Sequence, residues 1–145
     1  MKLRNLVLFA IVCSLALPVF AATPIAKAGK WESTVQMEMT GAPMKIPAHT
    51  MNVCVTKEQA ENAENLIPKT GDKRGGCIYT DVKVEGSTVS WKMTCEKSGM
   101  TGTGSVTYHG DSYEGAMQMK MQDREMAAKM SGKYLGACDG TEANK

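Results

Sequence analysis

From Ile78 to Tyr134 apolar or small side chains occupy alternate positions, and the alternation survives three reversals of the chain. A period of two marks strands that bury one face. Residues opposed across a two-residue hairpin share a constant sum of numbers and point to the same face. A turn at Gly86-Ser87 sets Val84 against Val89, Val82 against Trp91, Thr80 against Met93 and Ile78 against Cys95. A turn at Gly110-Asp111 sets Tyr108 against Tyr113, Val106 against Gly115, Gly104 against Met117, Gly102 against Met119 and Met100 against Met121. A third at Asp123-Arg124 sets Met121 against Met126, Met119 against Ala128, Met117 against Met130, Gly115 against Gly132 and Tyr113 against Tyr134. The Lys97–Gly99 loop joins the blocks and brings Trp91 beside Gly104 and Met93 beside Gly102. One apolar face therefore runs unbroken across five strands, with Ser, Thr, Lys, Gln and Glu on the other.

Two more strands precede these. Trp31, Ser33, Val35, Met37 and Met39 alternate with Glu32, Thr34, Gln36, Glu38 and Thr40, and Met51, Val53 and Val55 continue the pattern. Between strand 2 and the meander, Thr56 and Gln59 have the spacing of a capping box, which predicts one short helix over Lys57 to Leu66. The chain is thus expected to be mainly β: one antiparallel meander of about seven strands, strongly curved or closed into a partial barrel.

The N-terminus reads as an export signal. Lys2 and Arg4 precede an apolar run from Leu6 to Leu17, and Val19 and Ala21 supply the small residues of a cleavage site after Ala21. The run is short for a membrane span. Residues 22–145 are expected to form a single domain. The formal charge of +2 belongs to Lys2 and Arg4, so the remaining chain is neutral. Nucleic-acid binding, which needs clustered cations, is not expected, nor is a membrane span after cleavage.

Cys54, Cys77, Cys95 and Cys138 remain after cleavage, an even count suited to two disulfides in an exported domain. The register favours Cys77–Cys95 and Cys54–Cys138, with Cys54–Cys77 and Cys95–Cys138 as the alternative. Strict register places Cys77 and Cys95 on opposite faces. The favoured bond therefore needs a twist or bulge at Cys77, which the Arg74-Gly75-Gly76 segment could supply.

The motifs GKWESTVQMEM, VCVTKEQA, VEGSTVSWKMTC, GMTGTGSVTYHGDSYEGAMQMKM and MSGKYLGAC resemble the exported bacterial family of domains of unknown function 3617. The resemblance spans residues 28 to 138. It implies export and a single domain, and it implies no catalytic residues.

Enzymatic chemistry has little to stand on. There is no G-x-S-x-G, the cysteines are expected to be bonded, and GMTGTG lacks the helix and lysine of a phosphate loop. Asp111 reads as a turn residue and Glu114 as an outward strand residue. No catalytic residue, metal site or cofactor is expected. His49 and His109 are distant in sequence and read as surface residues. Ten methionines share the parity of Trp31 and Trp91, which suits core filling by a flexible thioether, and only Met44 outside the signal falls off that pattern. Because one short helix cannot cover such a face, Met37, Met93, Met117, Met119, Met121, Met130 and Trp91 are the candidate lining for an apolar or amphipathic ligand. A soft-metal (copper or silver) module and an envelope component binding another protein are the alternatives. The exported chain is expected to begin at Ala22. Intact-mass measurement of secreted material checks this, and retention of Lys2 and Arg4 would contradict it.

Overall fold

A computed structural model describes residues 24–41, 46–67 and 76–141, so the signal segment, Met44 and the Arg74-Gly75 pair lie outside the described residues. The strands are β1 (Gly29–Met39), β2 (His49–Val55), β3 (Cys77–Glu85), β4 (Thr88–Cys95), β5 (Met100–Tyr108), β6 (Ser112–Met121) and β7 (Arg124–Gly136). They form one antiparallel sheet in the order β2-β1-β7-β6-β5-β4-β3. The first strand pairs with the last, and β2 and β3 remain as free edges, so the sheet curls without closing. Three inter-strand steps, roughly 14 Å, separate β1 from β5. The rings of Trp31 on β1 and Tyr108 on β5 nevertheless meet at 6.2 Å between centroids.

The helical segment is two pieces, not one. α1 (Lys57–Glu61) carries the Thr56/Gln59 capping box, with both reciprocal hydrogen bonds formed. At Asn62 the backbone turns extended, and its side chain caps α2 (Ala63–Leu66). Asn competes for local backbone groups, which makes it a better cap than interior helical residue. Ile67 then inserts into the core at 2% exposure. Ile25 and Ala63 pack against the same cluster, and the Ile25 amide donates to the Ala60 carbonyl.

The β4–β5 and β5–β6 registers are those the alternation predicts, from Trp91 opposite Gly104 to Tyr108 opposite Tyr113. Two registers differ. The β6–β7 turn is Gln122-Asp123, with Gln122 at φ 54, so Arg124 lies opposite Met121, Met126 opposite Met119 and Ala128 opposite Met117. A shift of two preserves which face each residue takes. The expected register set Gly115 on Gly132 and Tyr113 on Tyr134. The observed one nests small against large, with Gly115 opposite Met130 and Gly132 opposite Tyr113, and so avoids both clash and void.

The second difference is a bulge. β3 follows the Gly86-Ser87 register at Val84 opposite Val89, then shifts by one between Thr80 and Lys83. Asp81 takes φ 52, a left-handed conformation that Asp tolerates better than most residues. The slip turns Tyr79 and Cys77 inward, opposite Met93 and Cys95, and turns Ile78 out to 53% exposure. The expected pairs Thr80–Met93, Ile78–Cys95 and Val82–Trp91 are replaced. The irregularity sits at Asp81, not at Cys77.

Two disulfides close the molecule: Cys77–Cys95 and Cys54–Cys138. The first ties edge strand β3 to β4 on the inner face. The second joins edge strand β2 to the chain after β7, passing the end of β1, where Lys30 opposes both Cys54 and Gly136.

The curl depends on aromatic rings lying over glycines of the next strand. A Cβ at Gly104 would sit 2.5 Å from the Trp91 ring, and one at Gly132 would overlap the Tyr113 ring. Tyr113 crosses Gly132 to reach the Ser33 hydroxyl on β1. Burial of the Trp91 ring contributes about 5 kcal/mol by area. Its Nε1 has no hydrogen-bond partner among the described residues, which offsets roughly 1–3 kcal/mol of that gain. Gly104→Ala is expected to cost about 1–3 kcal/mol by overpacking, read from the urea midpoint. A midpoint unchanged or raised would contradict the packing of Trp91 on Gly104.

Candidate functional site

Cross-strand pairing arranges the inner face in rows. One row runs Met39, Met126, Met119, Gly102, Met93 and Tyr79; the next runs Met37, Ala128, Met117, Gly104 and Trp91. A third runs Val35, Met130, Gly115, Val106 and Val89. The middle of each row is core. Met93, Met117, Met119, Met130 and Trp91 are buried. Five of the seven candidate lining residues therefore fill space inside the curl. Only Met37, at 40% exposure, and the half-buried Met121 stand where a ligand could reach them.

The apolar face does not stop where burial stops. Met51 on β2 is 36% exposed, and Val35, Met39 and Met126 are half-buried. With Met37 they form a mouth along the β2-β1-β7 side of the curl. The identity of the side chains allows this. No Asp or Glu occupies the inner face of any strand. Arg124 is its one Arg or Lys, and His49, opposite Val35, is its one His. The alternation alone puts Arg124 in the hairpin turn, whereas the structure pairs it with Met121 on this face. The φ > 0 preference that moves the turn to Gln122-Asp123 has only a weak sequence signal.

At the other end of the sheet the aromatic cluster is closed. Trp31 meets Tyr113 at 5.6 Å and Tyr134 at 5.5 Å, and its Nε1 donates to the Lys27 carbonyl at 2.9 Å. Lys27 lies 4.4 Å over the Tyr134 ring and pairs with Asp111 at 2.6 Å. The hydrogen bond to Asp111 raises the Lys27 pKa. Burial raises the hydroxyl pKa of Tyr108 and Tyr113, and at Tyr113 the Ser33 hydrogen bond works against burial.

The outer face is polar and paired. Lys92 meets Asp81 at 2.8 Å, and that bond lowers the aspartate pKa and raises the lysine's. Lys129 meets Glu38 at 2.9 Å. Thr80, Lys92, Thr94, Thr101, Thr103, Gln118, Lys120 and Glu125 border an open depression of about 410 Å³. Asp111 sits in its hairpin turn and Glu114 faces outward beside His109, 3.5 Å away. His49 and His109 lie in different surroundings, His49 on β2 opposite Val35 and His109 just after β5 beside Glu114. Among the described residues no three His, Cys, Asp or Glu side chains group as metal ligands.

These features define a small, disulfide-stapled, open and curled antiparallel sheet whose inner face is part core and part exposed mouth. The chain belongs to the family described as "Protein of unknown function (DUF3617)", whose model matches residues 26–138. That span begins at the buried Ala26 and ends at the last disulfide cysteine. Comparison with curated proteins and with solved structures finds no match.

The tyrosine cluster makes alkaline stability testable. In the unfolded chain these hydroxyls ionise near the ordinary value of 10.0, whereas the folded state holds Tyr108 and Tyr113 neutral beyond it. Their raised folded pKa gives a contribution present below pH 10 and lost as pH rises above it. Tyr108→Phe is expected to move the alkaline unfolding midpoint upward, measured by circular dichroism. A midpoint that falls would contradict the assignment.

Proposed function

We propose that this chain is an exported, non-enzymatic binding domain that holds an apolar or amphipathic ligand at the mouth of its inner face. The observation that carries the reading is the exposure of Met37 and Met51, contiguous with half-buried Val35, Met39 and Met126. Exposed contiguous apolar surface is costly in solution and usually marks a binding site. Methionine suits such a surface, because its unbranched thioether adapts to varied shapes. Export is supported by the signal pattern of residues 1–21 and by two disulfides. Among the described residues, no helix is long and apolar enough to cross a membrane.

One further observation favours a second reading. Met39, Met126 and Met119 are directly opposed on three adjacent strands. Thioethers so placed suit Cu(I) or Ag(I). Arg124, a fixed cation beside Met126 at the mouth, weighs against a bound cation.

Nile red, a neutral apolar dye, tests the first reading. The purified full exported chain is expected to bind it, and Met37→Gln with Met51→Gln is expected to weaken binding about tenfold or more by removing two apolar side chains. A ligand-free native mass together with no dye binding would overturn the proposal. Stoichiometric Cu(I) binding lost in Met39→Leu with Met126→Leu would favour the second reading instead.

A further inference from the structure

We infer that the ligand is a single-chain anionic amphiphile, a long-chain fatty acid, whose carboxylate is held by Arg124 at the mouth. This rests on the reading of the mouth as an apolar binding surface. The argument for its head group is charge complementarity. The inner face carries no carboxylate on any strand, so the carboxylates nearest to Arg124 in the chain are Asp123 in the turn and Glu125 on the opposite face. Arg124 is its one full cation and stands at the rim, opposite Met121, where β7 leaves the hairpin. Arg124 forms no ion pair among the described residues. Its chain neighbours Asp123 and Glu125 do not pair with it, and Glu125 faces the other way, opposite Lys120. By contrast Lys27, Lys30, Lys92 and Lys129 are all engaged with carboxylates.

The surroundings of Arg124 fit a head group joined to a tail. An opening of about 230 Å³ is lined by Met39, Thr40, Gly41, Arg124, Glu125 and Met126. Arg124 and two methionines therefore border the same space, and Glu125, whose strand position faces the other way, borders it as well. From there the apolar side chains continue along β1 through Met37 and Val35 to Met51 on β2. Positions 39 to 33 of β1 span about 20 Å, a path for a long chain, not a short acid. Met39, Met37 and Val35 follow one another along β1, a linear path that suits a single chain.

The charge count selects the head group. A guanidinium fork matches a planar carboxylate through two parallel hydrogen bonds. One arginine balances one negative charge, whereas a phosphate dianion would call for more cations. An anionic membrane surface needs a cluster of basic residues, and among the described residues this mouth has one.

The test is displacement of Nile red from the full exported chain by dodecanoate, dodecanol and octanoate, with wild type and Arg124→Gln. Arg124 is exposed, so the variant is expected to keep its thermal midpoint. Dodecanoate should bind at least about tenfold more weakly to Arg124→Gln, in line with loss of a charge-assisted pair. Dodecanol and Nile red should bind both proteins alike, Arg124→Lys should restore part of the loss, and octanoate should bind wild type more weakly than dodecanoate. Nile red binding with dodecanoate affinity unchanged in Arg124→Gln would overturn the fatty-acid assignment and leave the apolar mouth standing. Failure of Nile red to bind wild type, together with a ligand-free native mass, would overturn both. Preference for anionic phospholipid vesicles over dodecanoate would replace the free acid with a membrane surface and overturn the assignment.

Discussion

Everything distinctive in this molecule depends on large side chains lying over glycines of the neighbouring strand. Trp91 covers Gly104, Tyr113 covers Gly132, and the Met119 side chain crowds Gly102. A sheet with ordinary side chains at all those positions could not bend so far, because its inner face would run out of room. With glycine there, the strands fold inward until Trp31 meets tyrosines from three other strands. The curl in turn creates an interior from a single sheet. Four methionines fill that interior without a second layer, and the two short helices with Ile67 and Ile25 cover only part of what remains.

An open sheet leaves two edges, and each is handled by covalent and local means. One disulfide secures β3 and the other secures β2. Cross-linking of this kind stabilises chiefly by restricting the unfolded chain. The Asp81 bulge twists β3 and places a charged pair with Lys92 beside the edge. Both devices discourage pairing with a foreign strand. The bulge has a second consequence, since only the shifted register sets Cys77 opposite Cys95.

Much of this architecture was legible in the alternation alone. The Gly110-Asp111 hairpin, the β4–β5 pairing and the Thr56/Gln59 cap each combine a period with a turn or cap residue that fixes its phase. Errors fell where phase and register separate. Moving the last hairpin turn by two residues leaves the inner and outer faces unchanged, so the pattern of Met117 to Met130 could not distinguish the two registers. Only the nesting of Gly115 on Met130 and Gly132 on Tyr113 decides between them. The bulge at Asp81 leaves no mark beyond one residue able to take positive φ. The division of the methionines is a tertiary property. Met37 and Met117 share a parity and a row, yet one is exposed and the other buried, because the curl closes over the centre of the sheet and over Trp31 at the start of β1, but not over the later part of β1. Arg124 escaped notice for the same reason as the register, since the assumed turn took it off the face.

The central claim is that one face of one sheet serves as core at its centre and as a solvent-reachable mouth at the β2-β1-β7 side. Methionine oxidation followed by peptide mass spectrometry measures that division directly. Brief peroxide treatment of the folded, disulfide-bonded chain is predicted to oxidise Met37 and Met51 first, and to spare Met93, Met117, Met119 and Met130 until the protein unfolds. Oxidation of all six at similar rates in the folded state, or protection of Met37 and Met51 with the rest, would contradict the account.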